Sequence, residues 1–225
     1  MNQDSPNLVS GRGYGITHWK ELFTKRQLTA LSTFSDLVKE VQLKVTQDAL
    51  SAGMSADETR ISDGGTGAKA YGEALGVYLT FLVDKLADYH SAFTSWSISR
   101  ETIRNTFGRQ AIPMVWDFAE GNPFSQSTGC FDNMLKWVLK VIEKLPVGMK
   151  GFSLQHNAQL DNGLRNIMIS TDPPYYDNIA YADLADFFYI WMRQSLKETY
   201  PELFETVMVP KTDELVATPY RFEGG

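Results

Sequence analysis

The feature that most restricts the fold is a proline pair set between two apolar segments. The run Ile167-Met168-Ile169 leads into Asp172-Pro173-Pro174-Tyr175-Tyr176, and an amphipathic stretch follows. Each proline fixes φ, lacks an amide donor, and pushes the residue before it towards extended backbone. No helix or inner strand runs through such a pair, so one element must stop near Ser170 and another start a few residues later. On the far side Leu184, Phe187, Phe188, Trp191, Met192 and Leu196 recur at a spacing that stacks them on one helical face. On the near side 151–155 (GFSLQ) and 166–170 (NIMIS) are short apolar runs with the length of buried strands. Strand, sharp loop and helix make the half-unit of a doubly wound α/β sheet, in which ligands bind where the carboxyl ends of strands open into loops.

Upstream, the pattern is helical. Leu28, Leu31, Phe34, Val38, Val41 and Val45 predict one buried face of a helix from about 24 to 50. Residues 51–67 are a polar, glycine-containing connector. A second helix is expected over about 68–89, where Tyr71, Leu75, Tyr78, Leu79, Leu82, Val83 and Leu86 cover more than one face. It should therefore be largely buried. A shorter helix near Glu101, a break at Pro113, a loop over 121–129 and a helix over about 131–145 complete the expected helical region. No internal repeat or low-complexity tract is present.

At 225 residues and 43% hydrophobic content the chain can bury a sizeable core. No run approaches the roughly 18 uninterrupted apolar residues of a membrane span. The polar, glycine-rich start MNQDSPNLVSGRGYG lacks the pattern of a signal peptide, so a cytoplasmic location is expected. With one cysteine, Cys130, no disulfide can form within the chain, and the scattered His18, His90 and His156 suggest no metal site. The net charge of −6 argues against an autonomous nucleic-acid binder. Lys20-Lys25-Arg26 and Arg100-Arg104-Arg109 are local basic strips, for which solvated helix faces are the simpler reading.

By itself Asp-Pro-Pro is a good loop opener, and tyrosines after it can cover the start of a helix. The same order of residues also meets a chemical demand. Methylating an exocyclic amine requires two acceptors for its N–H groups, because its lone pair is delocalised into the ring. A carboxylate supplies one acceptor and a carbonyl stiffened by prolines supplies the other. An aromatic ring beyond them can stack on a base that has left its helix.

Asp172-Pro173-Pro174-Tyr175 resembles the catalytic motif of the S-adenosylmethionine-dependent amino-methyltransferases, which act on adenine or cytosine amines in DNA. Residues 11–15 (GRGYG), 104–124 (RNTFGRQAIPMVWDFAEGNPF), 172–193 (DPPYYDNIAYADLADFFYIWMR) and 209–221 (VPKTDELVATPYR) extend the likeness. They resemble large adenine-specific DNA methylases described as containing a zinc-ribbon module, over nearly the whole chain from about Gly11. The resemblance implies that Asp172 and the Pro173 carbonyl accept the two amine hydrogens. It implies too that Pro174 keeps the loop rigid and that Tyr175 stacks on the flipped base. Its further implications are S-adenosylmethionine as cofactor, DNA as methyl acceptor, and a partial Rossmann-like methyltransferase sheet over 149–225 behind a mainly helical region over 1–148. Related motifs serve RNA bases and protein amides. A cofactor-free remnant acting as an interaction module is the non-enzymatic alternative.

The chain departs from that pattern in three places. The only glycine-rich candidate for a cofactor turn, Asp63-Gly64-Gly65-Thr66-Gly67, follows polar residues rather than a buried strand, so a plain loop feeding the next helix is expected there. Where relatives place an acidic residue against the cofactor adenine, this chain has Asn157. Its amide can pair with an adenine edge or bond its own loop. Zinc-ribbon cysteines are absent. These departures predict the middle of a longer protein, whose upstream part carries the glycine motif and acts as this segment's partner. Tyr176, Asp177 and Asn178 have no expected role beyond capping the helix that follows.

Overall fold

Thr24 opens the first long helix. Its hydroxyl accepts a hydrogen bond from the Gln27 amide at 3.2 Å, and its own amide donates to Gln27 Oε1 at 2.8 Å. This reciprocal cap satisfies two amides that have no partner inside the helix. The computed structural model describes Met1, residues 11–146, Gly148, and residues 151–177, 179–212 and 214–217. Within these residues the architecture is mixed α/β, with four α-helices and one small antiparallel sheet. The helices are α1 (Lys25–Ser51), α2 (Ala68–Tyr89), α3 (Phe131–Ile142) and α4 (Tyr181–Leu196). The strands are β1 (Ser95–Ser97) and β2 (Thr102–Arg104).

α2 is the central helix and packs against α1, α3 and α4. Its second half is buried nearly all round, through Leu82, Val83, Leu86 and Ala87. Its first half meets α1 along the small residues Ala68, Gly72, Gly76 and Thr80, all buried and spaced by four. A Cβ on Gly72 would stand 2.3 Å from Thr46 Oγ1 and 2.7 Å from the Gln42 carbonyl oxygen. The two backbones therefore approach more closely than side chains allow. Tyr71, by contrast, points outward and is exposed.

The apolar stripe of α4 faces the core as expected, with Phe187, Trp191 and Leu196 buried. Phe187 is the hub of an aromatic cluster. It stacks on Phe23 at 5.6 Å and meets Trp19, Phe107 and Phe188 edge-on at 5.9, 4.8 and 5.1 Å. Tilted and edge-to-face pairs of this kind add to the burial of the rings. Ser35 on α1 and Ser195 on α4 share a buried hydroxyl bond of 2.8 Å that fixes the two helices in register.

Three expected elements are corrected. The helix near Glu101 is instead the turn of a hairpin, in which Trp96 pairs with Ile103 and Ser97 with Thr102. The Arg100 amide donates to the Ser97 carbonyl and Glu101 takes a φ of 48°, so a four-residue turn built on a left-handed residue closes it. The runs 151–155 and 166–170 form no strand ladder among the described residues and are exposed, with Phe152 and Met168 at 90% and 97% exposure. A strand is held by its neighbours' amides and carbonyls, and no described strand lies beside either run. α3 also ends at Ile142, three residues short of the expected end.

Candidate functional site

Residues 172–175 lie in an irregular, exposed segment ahead of α4. Tyr175 is 64% exposed, and its amide donates to Tyr181 Oη on the first turn of α4 at 3.4 Å. The Tyr176 carbonyl accepts from the Ala217 amide at 2.8 Å. Among the described residues no protein donor reaches the Asp172 carboxylate or the Pro173 carbonyl. The two acceptors that the motif offers are thus unspent.

α4 begins at Tyr181 after the N-cap residue Ala180, which has no side chain able to cap. Tyr176 and Asp177 do not serve as its cap, and Asn178 lies outside the described residues. The cap comes from elsewhere in the chain. Glu214 Oε1 accepts from the Ala182 amide at 2.8 Å, which places a carboxylate against the positive end of the helix. The same C-terminal segment is fastened one turn further on. Asp186 Oδ1 accepts from the Val209 amide at 2.9 Å, and Lys211 Nζ reaches both Asp186 oxygens at 2.9 and 2.8 Å. Burial pushes the Asp186 carboxyl up, and the Lys211 ammonium and the Val209 amide oppose that shift.

Segments far apart in the sequence therefore meet on this helix. Residues 209–212 and 214–217 wrap its N-terminal half, Phe107 packs on Phe187 and Phe188, and Trp19 and Phe23 pack on Phe187 and Trp191. Of the 209–221 stretch, Asp213 and 218–221 lie outside the described residues. The Glu214, Asp186 and Lys211 contacts leave no trace in the apolar spacing of the sequence. A carboxylate placed on the apolar helix between Ala185 and Phe187 was the available signal.

The expected cofactor residues are not brought to the motif by any described contact. Asn157 is exposed and bonds its own loop, accepting from the Gln159 amide at 2.9 Å. Asp161 and Asn162 make the same kind of turn with the Gly163 and Leu164 amides, so the loop is organised locally. The Arg165 guanidinium beside Asp161 holds that carboxyl below the usual carboxylate range. Within the glycine segment 64–67, Gly65 and Gly67 are packed, while Gly64 is exposed with open space around it. A Cβ on Gly65 would fall 2.0 Å from the Thr59 carbonyl oxygen and one on Gly67 2.7 Å from Asp57 Cβ, while the Ala68 amide donates to the Ser55 carbonyl. This loop serves the start of α2, and no described contact joins it or Asn157 to the motif.

Among the described residues no helix is long and apolar enough to cross a membrane, and no group of three or more His, Cys, Asp or Glu side chains is placed to hold a metal ion. Compared with protein-family models, curated proteins and solved structures, the chain matches none.

Proposed function

We propose that this chain is the target-amine half of an S-adenosylmethionine-dependent methyltransferase acting on the exocyclic amine of a flipped adenine in DNA. The observation that carries this reading is the state of Asp172-Pro173-Pro174-Tyr175. Its carboxylate and stiffened carbonyl have no donors among the described residues, and its tyrosine ring is exposed beside a helix locked into the core. In the reaction Asp172 and the Pro173 carbonyl accept hydrogen bonds from the two amine N–H groups, and Tyr175 stacks on the base. No step is assigned to the cofactor side, because no described contact brings Asn157 or residues 64–67 to the motif. On this reading 151–155 and 166–170 are strands of a Rossmann-like sheet that an upstream part of a longer protein completes.

The test is transfer of labelled methyl groups by the chain joined to that upstream part, with DNA, RNA and protein offered as acceptors. Asp172→Ala should lower transfer to DNA by roughly 100-fold or more, the usual effect of removing one group that stabilises a transition state. Undiminished transfer would overturn the assignment, and incorporation only into RNA or protein would move the chemistry to that acceptor.

A second reading, an interaction module without activity, is favoured by the uninterrupted exposure of 151–177. Under it, the chain binds the upstream part but the joined protein transfers no methyl group.

A further inference from the structure

The β-hairpin places two arginines and three hydroxyls around one cleft of about 480 Å³. The strand period puts Thr102 and Arg104 on one face of β2, and the register sets Ser97 of β1 directly opposite Thr102. Ser99 and Arg100 reach the same cleft from the turn, and Asn105 closes its end. Among the described residues neither guanidinium has a carboxylate within ion-pair distance, although Arg26, Arg60 and Arg165 each have one. No acidic side chain lines the cleft. The nearby Asp88 is occupied by the Phe107 amide at 3.0 Å and by Asn105 Nδ2 at 2.8 Å, and Glu101 is exposed in the turn. The Thr102 hydroxyl is buried and has no hydrogen-bond partner. In a chain of net charge −6, a cleft with unpaired cations, unspent hydroxyls and no acid is an exception.

We propose that this hairpin cleft is a phosphate-binding site, with Arg100 and Arg104 holding the anionic oxygens and Ser97 and Ser99 donating to them. Planar guanidinium forks match phosphate geometry, and neutral hydroxyls complete the shell without adding charge. Free phosphate and the phosphodiester of a nucleic-acid strand present the same oxygens, so the source is separated by experiment. The site does not depend on methyl transfer.

Inorganic phosphate is titrated into the full chain with amide resonances of 95–106 as the readout, and a short fluorescent DNA strand is titrated by anisotropy. The double variant Arg100→Gln/Arg104→Gln should weaken binding by at least about tenfold, because charge-assisted hydrogen bonds are lost. Glu101→Gln, which removes the only acid in the turn, should tighten it. For a DNA strand the slope of log affinity against log salt should also fall by roughly 0.7 per arginine. Binding of phosphate alone would identify a small phosphorylated ligand, and binding of the strand alone would identify a backbone contact; both support the site. Absence of both, or binding unchanged in the double variant, would overturn it. The phosphate titration involves neither Asp172 nor Tyr175, so its failure and failure of the methyl-transfer reading are told apart.

Discussion

At position 84 a carboxylate is buried without a partner. Asp84 is 8% exposed, its Oδ1 accepts no hydrogen bond, and burial pushes its pKa up to about 8. It lies on α2 in a stripe with Glu73 and Asp88, whose oxygens are met by the Ile61 amide and by Asn105 and the Phe107 amide. Between the unfolded value near 4 and the folded value near 8, the folded chain holds a proton that the unfolded chain has released. Stability from this group is therefore complete at low pH and lost as pH rises through that window. Asp84→Asn should raise the melting temperature at pH 8 by roughly 2–4 °C for each kcal/mol of penalty removed, and leave it nearly unchanged at pH 4.5. Thermal melts across that range check the prediction, and an unaltered pH slope would remove Asp84 from the account. Asp186 is the opposite case, buried but held by Lys211. Lys211→Met leaves that carboxylate unpaired and should destabilise the fold by about 3–5 kcal/mol at pH 8 in urea titrations. The loss should shrink at low pH, where a neutral Asp186 needs no cation. These acids were not legible in a pattern of apolar spacings, since a helix reads as amphipathic whether or not one of its buried positions is charged.

The long helices were legible because their apolar period survives in the fold: α1, α2 and α4 lie within a few residues of where the spacing put them. The hairpin was not, because its turn carries Glu101 where glycine or asparagine would announce a left-handed residue. The strand-like runs before the motif were read from composition alone, which states what a segment can become in a sheet but not whether a neighbour is present. The α1–α2 seam was also hidden, since Gly72 and Gly76 look like weak points in a helix until the second backbone is seen. It supplies a test of packing against propensity. Alanine should gain about 1 kcal/mol of helix propensity at either site. At Gly72 the new methyl meets the fixed Gln42 carbonyl, and overpacking of about 1–3 kcal/mol should outweigh that gain. At Gly76 it meets the Gln42 side-chain amide, which has no hydrogen-bond partner to lose and can swing aside. Gly72→Ala should therefore be destabilising and Gly76→Ala close to neutral in chemical denaturation. Equal losses at the two sites would mean that the helices, rather than the side chain, must move apart.

The main buried cluster draws on segments from Trp19 to Trp191, and a smaller one joins α4 to Phe204. Leu31, Leu82, Leu86, Met134, Phe187 and Trp191 belong to one buried cluster, so α4 completes the same interior as α1, α2 and α3. Residues 151–177, which join α3 to α4, are by contrast exposed along their whole length and bonded mainly to themselves. A protease should find its first sites there, where backbone is open and few contacts must break. If α4 is integral to the core, the nicked chain should keep both fragments together through gel filtration and retain its near-ultraviolet dichroism from Phe187, Trp191 and Trp19. Separation of the fragments would show that α4 is only tethered, and with it the motif that precedes it. The same digestion bears on the proposed function. Adding the upstream part that would complete the sheet should pair the runs 151–155 and 166–170 and slow cleavage there, while leaving cleavage of the hairpin turn at 98–101 unchanged. Protection confined to those two runs is the signature of strand pairing; uniform protection, or none, would leave the exposed segment without the sheet that the methyltransferase reading requires.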